Sequence, residues 1–266
     1  MVEGKGSLLP VTGTSWLSGI RNMFSKESGK WLSTHRWLVQ SMLWAILING
    51  IASLPLLFGS SVQIGAEGAT PEVPELFFTL MGSMTGFGVI ILSQSTVVEE
   101  KNSGTAEWVL SSPLSRESFL LSKLLSNTLW MFGILILLQG FIFEGILTIF
   151  GVSIVPPLNL LKGLTLNGVN IFFWISLSLM LGSHFSSRGP VIGIPILILL
   201  FEDIISEFGK IYIPWLPIIM PKRMVELATL AGTGSSLYSI VPIVTSLMFS
   251  CLFTVIAIWR FRREEF

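Results

Sequence analysis

The chain has 266 residues, of which 51% are hydrophobic and 12% charged, with a mean hydropathy of +0.76; soluble domains carry about 25% charged residues, and the deficit is what a lipid-facing surface requires. Sixteen Lys and Arg balance sixteen Asp and Glu, so the net charge points neither to nucleic acid nor to an acidic partner. A single cysteine, Cys251, excludes an intramolecular disulfide and a CxxC metal site.

Residues 1–10 hold no apolar core behind a basic segment, so the first hydrophobic run is expected to stay in the mature chain. Next, Trp16, Ile20, Met23, Phe24 and Trp31 recur at helical spacing while Arg21, Lys26 and Lys30 project elsewhere. The pattern predicts an amphipathic helix along the membrane surface, either a plain anchor or a docking element. Crossing a hydrocarbon core about 30 Å thick takes about 20 apolar residues of helix. Uncharged runs of that length fall at 37–58, 76–98, 124–143, 163–183 and 237–259. A sixth, 189–201, is shorter and continues through Glu202, Asp203 and Glu207 to Gly209. Backbone groups in lipid must bond internally, and runs this long are not the roughly 10-residue strands of a barrel. The expected fold is therefore an all-α membrane protein. Six transmembrane helices form one domain over residues 37–259, between an N-terminal segment 1–36 and a charged tail 260–266.

With six spans, Lys162, Lys210, Lys222 and Arg223 fall on one side and the other twelve of the 16 basic residues on the side of both termini. Lys and Arg concentrate in cytoplasmic loops, so both termini are expected in the cytoplasm. The first outer loop, 59–75, carries Glu67, Glu72 and Glu75 and no basic residue. Trp31, Trp37 and Trp259 sit at expected interfaces. Between the last two spans, 209–236 is too polar to cross and too apolar for a solvated loop. Tyr212, Trp215 and Leu216 are punctuated there by Pro214, Pro217 and Pro221, which break helices. A re-entrant or surface-lying pair of short helices on the outer side is expected.

The most informative stretch is 99–118, between the second and third spans. It reads as helix end, turn, short helix, turn, helix start. Gly104 supplies the first turn, Thr105 caps the short helix, and Glu107 lies in its first turn. Trp108, Val109 and Leu110 give the short helix an apolar surface, Pro113 stops it, and Ser115 caps the third span with Glu117 behind it.

Acidic residues, then Gly104-Thr105-x-Glu107, an apolar triplet, Ser111-x-Pro113-x-Ser115-Arg116 and Lys123 opening the next span resemble the type-2 ABC exporter permeases. The resemblance extends through the Lys26-Glu27…Lys30-Trp31…His35-Arg36-Trp37 lead-in to the broken outer segment; the second basic residue frequent in that family is replaced here by His35. It implies a transmembrane permease subunit that moves substrate by alternating access. Its loop would form a coupling helix docked on a separate cytoplasmic ATPase, present in two copies. Glu100, Gly104, Thr105, Glu107, Trp108, Pro113 and Arg116 would stand in or beside that contact. A permease homodimer in the cell membrane is implied as well, with ATP and Mg bound by the partner and no cofactor in this chain. A phosphate cradle needs a Gly-rich loop ending in Gly-Lys-Ser/Thr, and Gly29-Lys30-Trp31 lacks both the upstream glycine and the hydroxyl.

Glu144, Glu202 and Asp203 lie near the outer ends of spans and are candidates for a polar vestibule, against ordinary interfacial solvation. Asn49, Gln94, Asn127, Gln139, Asn167 and Asn170 read as interhelical bonds. Gly82 and Gly86 form GxxxG with Gly88 nearby, a signal for close helix approach of which a homodimer seam is one version. Cys251 reads as a small packing residue, and His35 and His184 as interfacial or loop residues. Two alternatives remain. Asp203 is the only aspartate, so an intramembrane enzyme lacks paired aspartates; an ion-coupled secondary transporter lacks charge at the middle of five spans.

Overall fold

The computed structural model describes residues 19–59, 73–105 and 114–264. In chain order the α-helices are α1 (Ile20–Ser33), α2 (Arg36–Trp44), α3 (Leu54–Phe58), α4 (Val73–Ser93), α5 (Ser95–Asn102), α6 (Arg116–Met131), α7 (Leu138–Ile149), α8 (Pro157–His184), α9 (Arg188–Gly209), α10 (Leu216–Ile219), α11 (Lys222–Thr233) and α12 (Val241–Arg262). π-helical turns at Ala45–Gly50 and Phe132–Leu137 continue α2 and join α6 to α7. No strand occurs among the described residues. Among the described residues four helical runs are long and apolar enough to cross a membrane: Val73–Asn102, Arg116–Ile149, Pro157–His184 and Val241–Arg262.

The first apolar run, expected as one span, is divided into α2, a π turn and α3. Pro55, near the start of α3, has no N–H to give the carbonyl four residues back, while Ser53 keeps a right-handed helical backbone, its N–H on the Asn49 carbonyl at 3.0 Å and its hydroxyl on the Gly50 carbonyl at 2.9 Å. The shorter run that starts at 189 is the 22-residue α9, which carries Pro195 in its interior and reaches past Glu202, Asp203 and Glu207. The two π turns are clasped by one amide. Asn49 donates to Gln139 Oε1 at 2.9 Å, and Gln139 Nε2 donates to the Ile134 and Ser41 carbonyls at 3.0 and 3.3 Å. A widened π turn leaves its carbonyls imperfectly paired within the helix, so a buried side-chain donor is what such a site needs.

The hub is α8, whose buried face includes Ile171, Phe173, Trp174 and Ile175 and packs against α4, α6, α11 and α12. Two short helices, α10 and α11, lie within the proline-punctuated segment 209–236. Met224, Leu227, Ala228 and Ala231 bury one face of α11 against α4 and α8. Phe78 on α4 fills the space that small residues leave: a Cβ on Gly163 or Gly232 would come within 2.5 or 2.1 Å of its ring. Phe78 also meets Phe77 edge-on, and Phe77 stacks on Phe143 with centroids 3.9 Å apart.

The GxxxG glycines do permit close approach, and the neighbours lie within the chain. A Cβ on Gly82 would strike Val225 of α11, one on Gly86 Leu199 of α9, and one on Gly88 the Trp44 indole of α2. Three helices of the same chain thus occupy that face, which leaves no seam there for a second copy. Cys251 also departs from expectation: it is exposed on α12, because a lipid-facing position is as apolar in sequence as a packed one.

Candidate functional site

The structure gathers the flanks of the 99–118 loop at the face that carries α1 and the end of α12, here called the terminal face. Gly104 has φ +68°, the left-handed conformation that lets the chain leave α5, and the Ser103 and Thr105 hydroxyls are 2.7 Å apart. Glu107, Trp108 and Pro113 lie outside the described residues. The chain returns at Ser115, whose extended backbone and Oγ, accepting from the Ser118 N–H at 3.1 Å, form the N-cap of α6.

Behind the loop sits a four-membered ion cluster drawn from three helices, with Glu27, Glu100 and Lys123 buried and Lys30 at its exposed edge. Lys123 of α6, 1% exposed, places Nζ 2.9 Å from Glu100 of α5 and 3.2 Å from Glu27 of α1. Lys30 places its own Nζ 2.8 Å from each of the same two carboxylates. Two acids and two lysines cancel, which is the condition under which charges tolerate burial. Lys30 titrates above the usual lysine range: burial works against its charge, and its hydrogen bonds to Glu100 and Glu27 more than offset that. The cluster docks α1 on α6, along with the Ser122 hydroxyl on the Ile20 carbonyl at 3.1 Å and the Trp31 indole on Asn127 at 3.4 Å. α1 is therefore packed onto the bundle and not merely laid on a membrane surface.

The loop flanks also hold the last helix. Arg116 Nη1 donates to the carbonyls of Phe261, Arg262 and Glu264 at 3.2, 2.8 and 2.6 Å. These are the orphan acceptors at the end of α12, where a cation also meets the negative pole of the helix. Glu117 pairs with Arg262, Lys101 with Glu264 at 2.6 Å, and Phe119 stacks on Phe261. On the other flank Glu99 pairs with Arg188 at the start of α9, and Lys101 donates to the Ser183 carbonyl of α8 at 3.3 Å. Each long helix end on this face is thus tied within a few residues of the loop.

Of the sequence-predicted loop residues, Glu100 faces inward into the cluster, Gly104 and Thr105 form the exit turn, and Arg116 caps α12. Sequence reading missed Glu27, Lys30 and Lys123 as partners. The one available signal was Glu27 and Lys30 at i,i+3 together with a lone lysine opening an apolar run.

At the opposite face Glu202 accepts from the Lys222 backbone N–H at 3.1 Å, and Asp203 pairs with the Lys222 ammonium at 2.5 Å. The two acids hold the first turn of α11 onto the end of α9. They also edge a cavity of about 270 Å³ that reaches Asn170 and Trp174 of α8. Glu144 stands apart from them on α7, with its backbone carbonyl accepting from the Thr148 hydroxyl at 2.8 Å.

An all-helical bundle with several membrane-length apolar helices and charged crosslinks confined to its ends is a multi-pass membrane protein. The chain belongs to the family described as Protein of unknown function (DUF2705), whose model matches residues 37–266. It is also similar to the protein described as "Probable ABC transporter permease protein NosY" of Stutzerimonas stutzeri, 25% identical over 268 residues that span 91% of this chain and 95% of that one.

Proposed function

We propose that the chain is the membrane-spanning permease subunit of an ABC transporter. It crosses the cell membrane six times with both termini in the cytoplasm and is driven by a separate ATPase. The observation that carries this reading is the similarity, along 91% of the chain, to a protein described as a probable ABC transporter permease. In this reading two permease chains bind two ATPase copies, and substrate moves outward by alternating access between them. The terminal face is cytoplasmic, and the 99–118 loop carries the coupling helix, with Glu107 and Trp108 at the ATPase surface. Pro113 ends the segment, and Glu100 and Arg116 work from behind it. A segment that hands motion to a membrane domain has to be joined stiffly to several helices at once. Ties from its flanks to α1, α8, α9 and α12 fit that need. Glu144, Glu202 and Asp203 belong to an outer vestibule.

The test is co-expression of the chain with its ATPase. Glu107→Lys and Trp108→Ala are expected to abolish co-purification and the ATPase activity that depends on the permease. If both survive, the docking assignment is wrong; flux driven by an ion gradient without any ATPase would favour a secondary transporter. Unchanged transport in Glu144→Gln and Glu202→Gln would remove those residues from the pathway.

A further inference from the structure

The face opposite the terminal one carries the cavity of about 270 Å³ between α4, α8, α9 and the start of α11. Phe87, Leu199 and Val225 give it apolar walls, Trp174 lies at its buried end, and Glu202 stands at its mouth. Around that mouth the cations are taken: Lys222 by Asp203, Lys210 by Glu207 and Arg223 by Glu226. Glu202 has no ion pair among the described residues. Its Oε2 accepts the Lys222 backbone N–H, and its Oε1 has no partner and is not sealed from solvent. The mouth thus holds one uncompensated carboxylate.

The buried end holds an unused donor. Trp174 is 2% exposed, yet its indole N–H makes no hydrogen bond among the described residues and, unlike the sealed nitrogen of Trp130, it reaches open space. That space is where Gly86 lacks a side chain: a Cβ there would stand 3.3 Å from the Trp174 nitrogen and 2.7 Å from Leu199. Leu199 and Glu202 are three residues apart on α9, a step of about 4.5 Å, so donor and carboxylate face one cavity from levels about one helical turn apart. A buried donor left without an acceptor costs free energy, and a ligand oxygen relieves it. The volume lies just below the roughly 300 Å³ at which pockets for drug-sized ligands begin, which keeps the ligand small. We propose that this cavity binds a small organic ammonium ion that carries a neutral oxygen at its far end. The ammonium bonds to Glu202, the oxygen accepts from Trp174, and the apolar body lies between Phe87, Leu199 and Val225. A carboxylate in place of the ammonium is repelled by Glu202, and an inorganic cation leaves Trp174 unpaired. The inference deepens the vestibule reading of Glu202 and Asp203 and rests on it for access from the outer side.

Tyramine is the probe, compared with phenethylamine, which lacks the oxygen, and para-hydroxyphenylpropionate, which lacks the cation. Equilibrium dialysis against the full-length chain in nanodiscs, with binding to empty nanodiscs subtracted, gives the three affinities. Tyramine should bind about fivefold more tightly than phenethylamine, the gain from one neutral hydrogen bond, and at least about tenfold more tightly than the propionate, the gain from one to a charged group. Glu202→Gln should abolish the preference over the propionate and keep that over phenethylamine. Trp174→Phe should do the reverse. Equal binding of tyramine and the propionate by the unaltered chain, or undiminished tyramine binding in Glu202→Gln, overturns the site. Equal binding of the two amines by the unaltered chain overturns it as well, a result that does not depend on Trp174→Phe folding. Binding is read without an ATPase, so a failed docking assignment leaves the outcome intact. Unchanged transport in Glu202→Gln beside lost tyramine binding would remove the vestibule from the pathway and keep the ammonium site.

Discussion

Lys123 Nζ lies 2.9 Å from Glu100 Oε1 across the two sides of the 99–118 loop, the lysine almost wholly buried and the carboxylate shared with Lys30. Because this contact closes the loop at its base, the positions of α5 and α6 are set relative to each other before any partner binds. Removing one charge leaves the others uncompensated in a medium that solvates them poorly. Lys123→Met should cost about 3–5 kcal/mol, read as a fall in the melting temperature of the detergent-purified chain. Lys123→Met combined with Glu100→Gln should recover part of that loss. An additive double variant would show that the two side chains do not interact.

Packing at Gly88 leaves no room for a methyl group. A Cβ there would approach the Trp44 ring at 2.2 Å, and that ring is held by its N–H on Gln40 Oε1 at 2.9 Å. Gly88→Ala should destabilise by about 1–3 kcal/mol. Gly29→Ala in α1, where nothing lies within 4 Å, should stabilise by about 0.5–1 kcal/mol through helix propensity. Opposite shifts in thermal denaturation check the pair.

Arg116 Nη1, with two N–H groups, lies within hydrogen-bond distance of three carbonyls at and just past the end of α12. Arg116→Ala should fray that end and expose Arg262 and Arg263 to trypsin, with C-terminal cleavage accelerated about tenfold, as expected for the loss of about 1.4 kcal/mol of local opening free energy. Arg116→Lys should restore only part of the protection, since an ammonium is a point charge without the planar fork. Mass spectrometry of the released tail gives the rate.

The raised pKa of Lys30 carries a sign for alkaline stability. A lysine charged more strongly in the folded state contributes fully below its unfolded pKa of about 10.4, and the contribution fades as pH rises through the higher folded value. The melting temperature should therefore drop above about pH 10.4, and the drop should be shallower in Lys30→Met. Identical alkaline limbs in both proteins would show that Lys30 does not titrate with folding.

Some local structure was legible because it obeys short-range rules. Ser115 caps α6 because a hydroxyl with an extended backbone reaches the N–H three residues on. Gly104 turns because a residue without Cβ tolerates φ +68°. The apolar runs became helices because lipid offers their backbones no other partner. Contacts between distant segments were not legible in the same way. Glu27 and Glu100 look like ordinary surface charges, yet both are buried on Lys123, as only the docking of α1 on α6 could decide.

The seating of α11 between α4 and α8 depends on Phe78 meeting Gly163 and Gly232, residues far from it in the chain. The first run reads as one span in composition, and the structure adds a π turn and a local irregularity at Ser53, where Pro55 withholds one N–H while the helical bonds on either side continue. What the sequence by itself determined is where helix begins and what kind of solvent surrounds it, since both follow from backbone bonding and apolar length. Which face of each helix meets protein and which meets lipid was decided only by the tertiary structure, because in a bilayer the two faces are equally apolar. The same holds for the charged residues: only folding showed which of them close a buried cluster and which remain at the surface.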